Sequence, residues 1–286
     1  MIDNYLLEEL VTFAETKTLA KTAQKLMVTQ PTVTRGMQKL EDELGVKLFN
    51  RQPNNISLTK AGELAAKKAQ LVLDNNREFV NEIRNFAQSQ QVVKIASVAP
   101  GPQIVIDDNK AQLVANIVLA PELFDSNKIK LALQTHQHSL IITNQELQTD
   151  LIESRYLGQE QLFVNLDQFM YLANQQQITF KELAGLSFVV LNEIGPWKHV
   201  IQDNIPNAKF LYQAEYDSMQ ELTKYTNFPF FTTNITNSDS PYNTNDSVRI
   251  PITDDAATMT FYAAYLKSQR KNVSPLAKQL SNAWPQ

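Results

Sequence analysis

The side chains best suited to chemistry in this 286-residue chain gather in a short basic stretch near its start. Gln30, Thr32, Thr34, Arg35, Gln38 and Lys39 share one face of a predicted helix. The opposite face carries Val33, Met37, Leu40 and Leu44. Arginine can grip guanine through two parallel hydrogen bonds and glutamine can do the same with adenine. Hydroxyls and lysines suit phosphate oxygens. Arg35 and Gln38 are therefore expected to read bases, with Thr29, Gln30, Pro31, Thr32 and Thr34 close by. Lys39, and beyond the helix Arg51 and Asn54, are expected on the DNA backbone or in the minor groove. Arg51 has a second reading, as a brace for the segment that carries it. A lone helix of this kind reads better as a solvated face, so the case rests on the elements around it.

Those elements have legible boundaries. Leu6, Leu7, Leu10, Val11, Phe13 and Ala14 draw one stripe over residues 4–16. Thr18 suits the cap of a second helix, Leu19 to Met27, with Leu19, Ala20, Ala23, Leu26 and Met27 inward. Thr29 caps the third, Pro31 sits in its first turn, and Gly45 ends it after Leu44. Two short apolar pieces, Val46 to Phe49 and Ile56 to Leu58, flank the turn-forming Gln52-Pro53-Asn54-Asn55 and predict a hairpin. Thr59 opens a helix that runs to about Ala87. Its apolar positions, Leu64, Leu71, Val72, Phe79, Ile83 and Phe86, form a narrow stripe, as for pairing with one other helix. Folding back on its own domain is the alternative, but nearly thirty residues exceed what the small head can cover.

Charge follows the same division. Residues 18–60 hold seven basic and three acidic side chains, against fourteen and nineteen in residues 91–286, although the whole chain is at −4. There is no cysteine, which excludes disulfides, thiolate metal sites and a cysteine nucleophile. No phosphate loop, nucleophile elbow or zinc-protease motif occurs, and no enzyme activity and no cofactor are expected. His136 and His138 could share a strand face as metal ligands, but no third ligand is near in sequence, and they read as surface or loop residues. No apolar run is long enough for a membrane span and the start lacks a signal-peptide pattern, so a cytoplasmic protein is expected.

Together these blocks resemble the N-terminal domain of LysR-type transcriptional regulators. The carriers are Phe13-Ala14-Glu15, Leu19-Ala20-Lys21-Thr22-Ala23-Gln24-Lys25-Leu26, Val28-Thr29-Gln30-Pro31-Thr32-Val33-Thr34-Arg35, Leu40 to Arg51, and Leu58-Thr59-Lys60-Ala61-Gly62. The resemblance implies a sequence-specific regulator of double-stranded DNA. It further implies a homodimer or homotetramer joined through the long helix, here Leu64, Leu71, Phe79, Ile83 and Phe86. The implied organisation is a winged helix-turn-helix in residues 1–58, a dimerisation linker helix in 59–88, and a two-lobed α/β effector domain like a periplasmic binding protein in 92–286. Gly36 departs from the pattern: a glycine inside a helix costs about 0.5–1 kcal/mol relative to alanine. It either lets the backbone approach DNA or is tolerated. The runner-up is an enzyme or solute-binding module with an accessory helical head.

After the polar hinge Gln88 to Gln91 the pattern changes to short apolar strands alternating with helices, an α/β rhythm that predicts a mostly parallel sheet. Strands are expected at Val92 to Val98, Ala115 to Leu119, Ser139 to Thr143, Gln161 to Leu166, Ser187 to Leu191 and Met259 to Lys267. Helical segments are expected at Pro121 to Leu133, Thr179 to Gly185, Pro196 to Ile205, Ser218 to Tyr225 and Pro275 to Ala283. Asn234 to Ser247 reads as a polar loop, and little room for a helix is left between Gly101 and Leu113. Ligands of open α/β sheets gather at strand C-terminal ends. That rule nominates Ser97, Thr143, Asn192 and Trp197, with Thr232 behind them, as lining for a small polar or carboxylate-bearing effector.

Overall fold

The computed structural model describes residues 1–52, 55–113, 116–236 and 247–285. Asn54, the Pro53-Asn54 turn, Ala115 and most of the expected polar loop lie outside the described residues. The chain divides into two compact units, Met1–Arg84 and Asn85–Gln286.

The first unit contains α1 (Asn4–Thr16), α2 (Leu19–Leu26), α3 (Gln30–Leu44), β1 (Phe49–Gln52), β2 (Asn55–Leu58) and most of α4 (Lys60–Ser89). Three side chains cap these helices as their types suggest. Thr18 Oγ1 accepts from Lys21 N, Thr29 Oγ1 from Thr32 N and Thr59 Oγ1 from Gly62 N. Each satisfies a backbone donor that has no partner within its helix. Gly45 ends α3 at φ +67°, a left-handed conformation that glycine adopts without strain. Leu6, Leu10, Phe13, Val33, Met37, Leu40, Leu48 and Phe49 close one core, with Ala66, Ala69 and Leu73 of α4 packed into it. Leu44, expected inside, is exposed, because α3 has already passed its last contact with the core. Ala20 and Met27 also face out, Met27 because it leaves α2 in a left-handed cap at φ 54°. The hairpin is antiparallel, Phe49 opposite Leu58, and begins at Phe49 where Val46 was expected.

The second unit begins with β3 (Val93–Ser97), α5 (Pro100–Asn109), β4 (Ile117–Leu119), α6 (Ile129–Gln134) and β5 (Leu140–Thr143). The long β6 (Ile152–Asp167) leads into β7 (Ser187–Leu191), α7 (Trp197–Asn204), β8 (Lys209–Gln213), α8 (Tyr216–Tyr225) and β9 (Phe230–Thr233). β10 (Ser247–Pro251), β11 (Thr258–Leu266) and α9 (Arg270–Ala283) complete it. The sheet runs β4-β3-β5-β11-β6-β9-β7-β8, with β10 also on β6. It is mixed rather than mostly parallel: β3 pairs parallel with β4 and β5, and β7 with β8 and β9, but every pairing of β6 and β11 is antiparallel. β6 joins the two halves of the sheet. Its first part, to Gln161, pairs with β11, and its second part, from Leu162, pairs with β9 and β10.

Several local expectations are corrected here. A ten-residue helix, α5, does form where little room was expected, beginning at Pro100 and ending at Asn109. Pro100 and Pro102 look like loop residues, but they stand in its first turn, where a missing N–H costs little. Thr179 to Gly185 forms turns, not a helix, and of Pro121 to Leu133 only the end is helical. α9 begins five residues before Pro275, which lies inside it. Among the described residues no helix is long and apolar enough to cross a membrane.

Candidate nucleic-acid interface and ligand cavity

α3 presents the predicted side chains as a polar face. Thr29, Gln30, Pro31, Thr32, Arg35, Gln38 and Lys39 are exposed and Thr34 is half-buried, while Val33, Gly36, Met37, Leu40 and Glu41 point inward. Thr29 and Thr32 hydroxyls lie 2.8 Å apart, and Thr34 Oγ1 donates to the Gln30 carbonyl at 3.0 Å. A groove of about 460 Å³ separates the start of α2 and α3 from the hairpin, with Lys17, Gln30, Thr34, Arg51 and Asn55 among its walls. The fold thus brings helix and hairpin residues, 21 positions apart, to one face.

Two of the predicted cations are already engaged. Lys39 Nζ donates to Asp3 Oδ2 at 2.9 Å and to the Tyr5 hydroxyl at 3.2 Å. Asp3, then Tyr5, hold its pKa above the ordinary lysine range. Arg51 Nη2 lies 3.0 Å from Glu41 Oε2, an ion pair that favours the bracing reading. Glu41 itself is buried, and its Oε1 accepts from Leu48 N at 2.7 Å and Phe49 N at 3.1 Å. One carboxyl therefore ties α3 to the root of the hairpin. Sequence reasoning counted Glu41 only as a surface charge. Its position between Leu40 and Leu44, one turn after Met37, was the available signal.

Gly36 has a different explanation from either one offered by the sequence. It is buried and faces α1, not solvent. A Cβ there would stand 1.8 Å from Glu9 Oε2. Glu9 is buried, that oxygen has no hydrogen-bond partner, and burial raises its pKa to about 7. Gly36 is therefore the space into which Glu9 folds.

α4 is two-sided. Ala66, Ala69 and Leu73 are buried, whereas Leu64, Leu71, Phe79 and Ile83 are each more than half exposed. Phe86 is also largely exposed, and its ring edge meets His136 at 5.1 Å. His138 stacks edge-on with Phe124, and among the described residues no three His, Asp or Glu side chains cluster for a metal.

In the second unit the nominated ligand residues separate into two groups. Trp197 and Thr232 line a cavity of about 270 Å³; Ser97, Thr143 and Asn192 do not. Ser97 is buried and spends its hydroxyl on Ala99, donating to the carbonyl and accepting from the N–H. Thr143 is buried too, with Oγ1 accepting from Gln145 N. Asn192 joins β7 to β8 through its N–H, on Gln213 O. The cavity walls are mostly apolar side chains from α5, β6, β7, α7, α8 and β9. The residue that sequence reading missed is Glu160, 1% exposed, whose Oε2 accepts from Trp197 Nε1 at 3.1 Å. Burial pushes its carboxyl above the usual range, against hydrogen bonds from Thr233 and Trp197 that lower it. At the rim, Gly195 (φ +57°) lets its loop approach Val98, whose carbonyl a Cβ would meet at 2.2 Å.

Residues 5–63 match the model of the bacterial regulatory helix-turn-helix proteins of the lysR family. The chain is 28% identical over 191 residues to the uncharacterized HTH-type transcriptional regulator YybE of Bacillus subtilis (strain 168), covering 65% of each chain. It is 22% identical to the HTH-type transcriptional regulator DgcR of Pseudoalteromonas sp., covering 66% of this chain and 68% of that one. The match thus spans a little under two thirds of YybE's length. Among solved structures, Vibrio fischeri DarR in complex with DNA is similar at a TM-score of 0.66 and 15% identity, covering 99% of this chain and 98% of that one. A full-length OxyR variant from Pseudomonas aeruginosa is similar at 0.55 and 22%, covering 98% and 95%. The fold of this chain is thus similar to that of these solved regulators.

Proposed function

We propose that this chain, a member of the lysR family by its helix-turn-helix domain, is a sequence-specific DNA-binding transcriptional regulator controlled by a small effector. The observation that carries this reading is the polar face of α3, with Arg35 and Gln38 exposed beside the hairpin, inside the segment that matches the family model. Thr29, Gln30, Pro31, Thr32 and Thr34 stand around the helix start and serve register and backbone contacts. Lys39 can reach phosphate only by leaving Asp3 and Tyr5, and Arg51 acts first through Glu41. Asn54 stays a proposal from sequence.

The working division is a DNA-binding module in residues 1–58, a linker helix in 59–88 and an effector domain in 92–286. The exposed stripe Leu64, Leu71, Phe79, Ile83, with Phe86 at its end, supports a homodimer or a tetramer built from it. A two-fold dimer matches a two-fold operator. The relatives are regulators, not enzymes, and work on DNA in the cytoplasm is consistent with the absence of a membrane-crossing helix among the described residues.

The test is fluorescence-anisotropy titration of full-length protein with promoter fragments at several salt concentrations. A regulator binds one two-fold site far more tightly than random DNA, and binding weakens steeply with salt as phosphate counterions are released. Equal, salt-insensitive binding to all fragments would contradict the reading.

A further inference from the structure

The cavity in the second unit opens beside the N-terminus of α5, a place where carboxylate ligands are often held by free backbone N–H groups. Here that terminus is poor in donors, since Pro100 and Pro102 have none. It is also covered. Gly101 lies so close to Glu160 that a Cβ would meet its Oε1 at 2.5 Å. A carboxylate ligand would be buried here with no cation among the described lining residues to offset its charge. Among the described residues lining the cavity, Glu160 is the single ionisable one.

The other polar groups make hydrogen bonds within the protein. Thr232 Oγ1 accepts from Asn165 Nδ2 at 2.8 Å. Thr236 Oγ1 donates to the Thr233 carbonyl at 3.0 Å, and Thr233 Oγ1 accepts from Ile235 N and Thr236 N at 3.3 Å. Ile104, Leu162, Val190, Ile194, Met219 and Phe231 supply the apolar walls. An apolar cavity of roughly 150 Å³ takes benzene, so about 270 Å³ suits one or two rings.

We propose that this cavity takes an uncharged, largely apolar ring compound bearing one hydrogen-bond acceptor directed at Glu160, and that it rejects carboxylates. The proposal rests on the reading of this unit as the effector domain and narrows the polar or carboxylate compound that the sequence suggested. A neutral carboxyl group has an O–H to donate, and burial favours that form of Glu160.

The test uses full-length protein and two ring sizes, benzene and naphthalene, each as methyl ester, carboxylate and aminomethyl cation, titrated calorimetrically at pH 7. The ester is expected to bind at least roughly tenfold more tightly than either ion, since an ion would be buried without a partner or against a neutral acid. Ile104→Trp, which fills the cavity, should abolish ester binding; Glu160→Gln, still a donor, should keep it within about threefold. If either variant fails to fold, the rank order on the unaltered protein decides. Preference for the carboxylate, preference for the cation, no binding by any ester, or ester binding that survives in folded Ile104→Trp each overturns the proposal. DNA titrations on the same preparation keep the two readings apart: these results with DNA binding intact count against the ligand class alone, and loss of DNA binding counts against the regulator.

Discussion

Glu41 in the N-terminal unit and Glu160 in the C-terminal unit are both buried carboxyls, and they are surrounded in opposite ways. Glu41 meets two backbone N–H groups and the Arg51 guanidinium, with Lys47 at 3.8 Å. Glu160 meets one indole, one hydroxyl and the wall of a cavity, and no cation among the described residues. A carboxyl enclosed by donors from separate elements fixes those elements. A carboxyl with few donors beside empty volume has capacity left for something else. The head is therefore built to hold a shape whose working groups face outward, and the body to hold a space whose working group faces inward.

The harshest way to test this contrast is at the apolar stripe that belongs to neither core. Phe79→Glu with Ile83→Glu places two charges in the proposed helix seam. The dimer dissociation constant should rise by at least roughly a hundredfold, read by sedimentation. A double variant that stays dimeric at low concentration would place the seam elsewhere.

Next in size comes Glu41→Ala, which strands the N–H groups of Leu48 and Phe49. It should cost about 2–4 kcal/mol, measured by denaturant unfolding. The matched change in the body, Glu160→Gln, keeps the size and puts an uncharged amide in place of the carboxyl, and should cost less than about 1 kcal/mol. Equal losses would erase the contrast between the two carboxyls.

Smaller again is Gly36→Ala, expected to destabilise by about 1–3 kcal/mol through overlap with Glu9. Adding Glu9→Ala should recover most of that loss, because alanine then also gains helix propensity. Additive losses in the double-mutant cycle would show that the two residues do not share one space.

The mildest effect is a pH dependence. Glu9 has its folded pKa raised to about 7 from an ordinary 4.5. Between those values the folded state binds more protons than the unfolded one, so this contribution is full below about pH 4.5 and is lost as pH rises through 7. Glu9→Gln should remove that slope from the unfolding free energy, and an unchanged slope would assign it to other groups.

The two units also differ in how far they could be read from sequence. The head has strong helical periods and local caps at Thr18, Thr29 and Thr59, each set by residues within three positions. Among its misreadings, Leu44 and Met27 fall at helix ends, where the core has stopped or the chain has turned left-handed, and Ala20 faces out from the first turn of α2. The body depends on long-range pairing. β6 was legible only from Gln161 onward, because Ser154, Arg155 and Gln159 break the apolar run, yet β11 pairs with that whole polar half. Glu160 was legible in principle. Counting back by twos from Leu166 through Val164 and Leu162, all buried, lands on it. What alternation cannot supply is the cavity, which needs α5, β6, β7, α7, α8 and β9 together.

The central claim, that α3 reads sequence through Arg35 and Gln38, is tested most directly by selecting preferred sites from a randomised DNA pool with the unaltered protein and with Arg35→Ala. The account predicts one two-fold motif for the unaltered protein. For the variant it predicts relaxed preference at one position in each half-site and a loss of about 1–3 kcal/mol on the original motif. An unchanged motif bound with unchanged affinity by Arg35→Ala would contradict it.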